Sequence, residues 1–230
     1  MEILWFGVLA LLLIGYFALE GFDLGVGLLL PVTADRDRAI GAIGPFVLAN
    51  EVWLIAVAGV LFGAFPACEH ALSANYTAVV LLLVSWVVRD MGLWFRRRLF
   101  ARAFWEWVIA LGSLGVCLAW GLFLAGLAGF SFPFGLLYGL LIAALFVLHG
   151  RRFLDWRLTG GGSPLVTGAL AAVPALVPLV GFAGAVVGNA APSATLTVMT
   201  FMVLPFVPVM AGAQIWVWRA FGKGPVPTYF

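Results

Sequence analysis

Seven apolar stretches, each about as long as a membrane-crossing helix, leave this chain few ways to fold. They lie near residues 3–30, 45–65, 74–95, 105–128, 133–150, 164–187 and 195–218. About 20 apolar residues cross roughly 30 Å of hydrocarbon as an α-helix, a form that pairs every backbone N–H and C=O internally. The expected fold class is therefore all-α: a polytopic transmembrane helical bundle of about seven spans. The balance of residue types supports this, with 64% of 230 residues hydrophobic and only 10% charged, where a soluble domain carries roughly a quarter charged residues. A soluble globular protein is excluded.

Turn chemistry separates the stretches: Pro31 with residues 35–38, Pro66, the basic run 96–102, and the segments 129–133, 160–164 and 188–192, each holding glycine and proline. Pro174 and Pro178 in the sixth stretch, and Pro205 and Pro208 in the seventh, predict kinks, because proline removes a backbone donor and crowds the preceding turn. Packing kinks are the plainer explanation than a gate. The first stretch has no basic flank and holds Glu20 and Asp23, so it reads as a retained helix rather than a cleaved signal.

Lys and Arg near helix ends set membrane orientation. The loops after helices one, three and five, together with the tail after helix seven, hold Arg36, Arg38, Arg96, Arg97, Arg98, Arg102, Arg151, Arg152, Arg157, Arg219 and Lys223, and Arg89 lies near the same side. That side is expected in the cytoplasm, with the N-terminus outside and the C-terminus cytoplasmic. Basic residues grouped for topology, with a net charge of only +2, argue against nucleic acid as a partner. Trp53, Trp86, Trp94, Trp105, Trp107, Trp156, Trp216 and Trp218 include many expected near helix ends as membrane anchors.

An ionisable side chain inside hydrocarbon costs at least about 2.5–3.5 kcal/mol on insertion scales and needs a partner, a wet cavity or a bound proton. Glu20, Asp23, Glu51 and Arg89 are the ones to explain. Glu20 and Asp23 share a helix face, while Gly21, Gly25 and Gly27 narrow the same helix for a close neighbour. Glu51 and Arg89 are expected at a similar depth. One reading is a structural ion pair. The sharper one is proton uptake, since desolvation at a like-charged site favours the protonated form of a carboxyl group. Asp90, Glu106, Glu69 and His70 are expected to be solvated.

Other chemistry finds little support. Cys68 and Cys117 cannot build a disulfide framework or a cysteine-rich metal site. His70 and His149 are expected at opposite ends of the bundle, and Met199, Met202 and Met210 follow apolar spacing, so no haem ligand pair emerges. No phosphate loop, dinucleotide fingerprint or catalytic triad is present. Direct cofactor binding and independent catalysis are not expected.

Residues 20–27, reading EGFDLGVG, resemble the first-helix signature of subunit II of the cytochrome bd quinol oxidases. The resemblance continues through NEVWL at 50–54, LFGAFP at 61–66, Arg89 with Phe95 and Arg96, PFGL at 133–136, LTVMT at 196–200, and Phe221 with Gly222. It implies a noncatalytic membrane subunit of a prokaryotic inner-membrane terminal oxidase. Its partner, subunit I, would carry haems of b and d types and oxidise quinol. This chain would complete proton and oxygen routes. Glu20, Asp23, Asn50, Glu51 and Arg89 would form the proton path or buried polar cluster, with Arg96 also matching. A structural quinone or lipid in a groove of this chain would fit the family, as would small single-helix subunits beside it.

Family members are longer, so the resemblance implies a first four-helix bundle over residues 1–128 and a shortened second bundle of about three helices over 129–230. Leu48 stands where the family usually has an aspartate associated with proton delivery, and Trp94 where it commonly has an acid. Neither replacement can relay protons. The alternative from another class is a proton-coupled secondary transporter or channel, because intramembrane carboxylates and proline-broken helices also mark ion paths.

Overall fold

The computed structural model describes residues 1–99 and 101–226, and among these every regular element is helical. Helix α1 (Glu2–Leu29) continues into a 3-10 turn, Leu30–Val32, where Pro31 ends the regular helix. A short helix, α2 (Arg36–Ile43), follows, its first turn capped by the Asp35 side chain, which accepts from the Arg38 N–H at 3.0 Å. Next come α3 (Val47–Ala64), short α4 (Cys68–Ala74), α5 (Tyr76–Phe95), α6 (Arg102–Leu127) and α7 (Phe132–Thr159). The chain closes with α8 (Leu165–Gly181), short α9 (Ala183–Gly188), α10 (Ser193–Met202) and α11 (Phe206–Phe221).

Each apolar stretch is helical, but the helices do not reproduce seven uninterrupted spans. Five, counting α1 with its 3-10 turn, are long and apolar enough to cross a bilayer, and α10 with α11, bent by 40° at their break, brings the number to six. Pro205 sits at that break and caps α11. The sixth stretch divides: α8 holds Pro174 and Pro178, stops after 17 residues, and α9 restarts beyond Phe182. Conversely, α7 runs past the apolar stretch through Arg151, Arg152 and Arg157 before Gly160, at φ 73°, terminates it. Charge ends hydrocarbon, not helix.

Helix α1 is the hub, packing against α3, α6, α7 and α8. Its approach to α7 is the closest: a Cβ built on Gly25 would collide with the Phe146 carbonyl, and one on Gly150 would lie 2.6 Å from backbone atoms of Gly25 and Val26. This is the close helix approach that the glycines of EGFDLGVG predict. One hydrophobic cluster joins Trp5, Phe17, Trp120, Phe146 and Leu196 across both halves of the chain. A second gathers Phe22, Ile40, Phe46 and Phe153, with Phe22 stacked on Phe153 at 4.0 Å between ring centres. The second cluster, with α2 in it, lies at the end carrying the arginines.

Candidate functional site

Arg89 organises the site. Its guanidinium pairs through Nη2 with Glu20 Oε1, through Nη1 with Glu51 Oε1 at 3.4 Å, and through Nε with Asp90 Oδ1 at 3.3 Å. Three helices thereby converge: α1 contributes Glu20, α3 contributes Glu51, and α5 contributes the Arg89–Asp90 pair. Helix α6 packs closely against α5 here, where a Cβ on Gly112 would lie 2.6 Å from the Arg89 backbone nitrogen. Arg89 and Glu20 are each 1% exposed. A charge so deeply buried is tolerable only when paired.

Asp23 stands beside this ion pair in a different environment. Its Oδ2 accepts from the Asn50 amide at 2.7 Å, while its Oδ1 is buried without a hydrogen-bond partner among the described residues. Asn50 Oδ1 in turn accepts from Gln214 Nε2 at 2.8 Å, and Gln214 Oε1 accepts from the Trp53 indole at 3.2 Å. The structure thus brings Glu20, Asp23, Asn50, Glu51 and Arg89 into one neighbourhood. Sequence reasoning missed Gln214, whose only signal was an amide inside the apolar helix α11. It also misplaced Trp53, which is buried against Gly15 of α1 rather than anchoring a membrane edge. Asp90 is half-buried and paired rather than freely solvated.

A second charged network lies at the arginine-rich end. Glu106, expected to be solvated, is 4% exposed and receives Arg36 Nη1 at 2.9 Å and Arg96 at 3.0 and 2.7 Å. Two arginines folding over it from α2 and from the end of α5 account for the burial. Arg96 also reaches Asp37 at 2.5 Å, and Arg102 lies 3.6 Å from the same carboxylate. The Arg96 guanidinium hydrogen-bonded to Asp37 holds that carboxyl below its ordinary range. Glu69 and His70, expected to be solvated, lie exposed on the short helix α4.

A sequence model described as cytochrome bd terminal oxidase subunit II matches residues 1–188. The chain belongs to the cytochrome bd terminal oxidase subunit II family. It is 34% identical over 211 residues to cytochrome bd-I ubiquinol oxidase subunit 2 of Escherichia coli K12, covering 80% of this chain and 55% of that protein. Cytochrome bd ubiquinol oxidase subunit 2 of Bacillus subtilis is 40% identical over 119 residues, covering 48% and 35%. A probable cytochrome oxidase subunit 2 of Haemophilus influenzae is 29% identical over 187 residues, covering 69% and 50%. The chain spans about half the length of the curated relatives it matches over most of its own length. Like this family's bacterial members, it is a multi-pass protein of the inner membrane.

Both ring nitrogens of buried His149 are engaged, one with Thr167 Oγ1 and the other with the Ala18 carbonyl, each at 2.9 Å, and His70 lies exposed on α4. No trio of His, Cys, Asp or Glu is placed to hold a metal among the described residues. Cys68 and Cys117 are free thiols. Of the two departures from the family pattern, Leu48 is 60% exposed on α3 and Trp94 is 43% exposed on α5, so neither is inside the Arg89 cluster. A cavity of about 320 Å³, lined by apolar side chains such as Leu9, Leu61, Phe123 and Leu179, opens at the opposite end from the arginines.

Proposed function

We propose that this chain is the noncatalytic membrane subunit of a bd-type quinol:oxygen oxidase, scaffolding a haem-bearing subunit I and taking up protons from the cytoplasmic side. In the assembled oxidase, subunit I would supply quinol oxidation and oxygen reduction at its haems of b and d types, and the reduction consumes protons. The observation that carries the reading is the buried acid pair on one face of α1: Glu20 is held by Arg89, while Asp23 is held by a neutral amide. Three carboxyl groups, Glu20, Glu51 and Asp90, pair with a single guanidinium, and Asp23 adds a fourth acid close to Glu51 and Asp90. Full ionisation there would leave uncompensated negative charge in a poorly solvated site, which bound protons relieve. The one-sided arginines orient the cluster toward the cytoplasm. Glu51 and Asp90, the less deeply buried acids, supply its outward edge.

The transporter alternative gains no support from the cavity, which is apolar and lies at the other end of the bundle. A structural quinone or lipid, and small single-helix subunits, remain compatible with the family reading. The test is Asp23→Asn in the assembled oxidase. Proton uptake through Asp23 predicts an intact complex whose turnover falls severalfold. An intact complex with unchanged turnover rejects the proton role, and failure to assemble assigns Asp23 to scaffolding alone.

A further inference from the structure

We propose that Gln214 is a positioning residue that fixes which oxygen of Asp23 exchanges a proton, an inference that rests on the proton-uptake reading above. Four buried polar groups form one hydrogen-bonded chain, from the Trp53 indole through Gln214 and Asn50 to Asp23. Both ends have fixed polarity. An indole N–H can only donate, so the Gln214 atom facing it is Oε1, and Nε2 must face Asn50. Asn50 then presents Oδ1 to Gln214 and Nδ2 to Asp23, where the same Nδ2 also meets the Leu19 carbonyl, an obligatory acceptor, at 3.2 Å. Neither amide can turn over without setting donor against donor or acceptor against acceptor.

The consequence falls on the carboxyl group. Asp23 Oδ2 is committed as the acceptor from Asn50, so a proton arriving at Asp23 is taken up at Oδ1, the buried oxygen with no hydrogen-bond partner among the described residues, and leaves from it. Charged neighbours come from each side: Glu20 on α1, Glu51 on α3, and Arg89 with Asp90 on α5. Helix α11 contributes the neutral Gln214, which lies beyond residues 1–188 matched to the family.

Two substitutions separate this role from packing. Gln214→Met keeps the volume and removes both hydrogen bonds, whereas Gln214→Glu in its ionised form sets an acceptor against Asn50 Oδ1 and forces that amide to turn over. In infrared spectra of the full chain in lipid vesicles, the carboxyl band identified by its loss in Asp23→Asn should shift in both variants. The pH profile of turnover in the assembled oxidase should move by about one pH unit. Trp53→Phe, which deletes the anchoring donor and keeps an aromatic ring, should shift the same band should the Gln214 variants fail to fold. An unmoved band and pH profile in variants that change only thermal stability would overturn the inference. Failure of Asp23→Asn to alter turnover would instead reject the proton-uptake reading beneath it.

Discussion

Arg89 is the cation on which the buried acids depend, and its partners come from its own helix and two others. Removing one partner of a buried ion pair typically costs about 3–5 kcal/mol, because the charge left behind stays desolvated. Arg89→Met should therefore destabilise the chain by about that much, read as a lowered thermal midpoint in detergent. Arg89→Lys should recover only part, since a single ammonium cannot reach acids on separate sides of a planar guanidinium. Asp37 offers a pH-dependent counterpart outside the membrane. Its carboxyl titrates below the ordinary value of 3.8 because Arg96 binds the ionised form, so its stabilisation is fully present above that value and lost as pH falls through the folded one. Asp37→Asn should lower the thermal midpoint at neutral pH, and the difference from the parent should vanish in acid. A constant difference across pH would contradict this. Glu20, Asp23, Glu51 and Arg89 were legible because charge inside an apolar run demands explanation. Gln214 was not, since one neutral amide perturbs hydropathy little. Glu106 was not either, because its burial comes from arginines distant in the chain.

Helix positions were largely readable from apolar run length, and the misses share a cause. Hydropathy reports where hydrocarbon ends, whereas helices end where caps, glycines or prolines end them. That is why α7 outruns its apolar stretch to Gly160, and why α2 and α4 lay hidden in segments that looked like turns. The close approach of α1 and α7 was foreshadowed by glycine spacing, but its partner was not, since helix pairing depends on tertiary arrangement. Gly25→Leu tests this contact: the obstructing atoms are the Phe146 backbone carbonyl, which cannot swing aside as a side chain would. The expected loss is about 3 kcal/mol or more, at the upper end of overpacking costs, read as thermal midpoint or folded yield. Gly7→Leu, where nothing lies within 4 Å of the added Cβ, should be nearly neutral. Equal losses at both positions would remove the crossing from the account.

Taken whole, the molecule groups its arginines toward one end, an apolar cavity at the other, and a deeply buried ion cluster with an adjoining amide chain between the helices. The chain belongs to the cytochrome bd terminal oxidase subunit II family and spans about half the length of the curated relatives it matches over most of its own length. Buried His149 is engaged at both ring nitrogens, by Thr167 and the Ala18 carbonyl. The proposed division of labour therefore assigns redox chemistry to a neighbour and acids to this chain. Purification in mild detergent through a tag on this chain, followed by an absorption spectrum of the product, tests that division. The account predicts a second long chain carrying all of the haem absorption, and none in this chain once the two are separated. Haem retained by this chain after separation, or a functional complex without a haem protein, would contradict it.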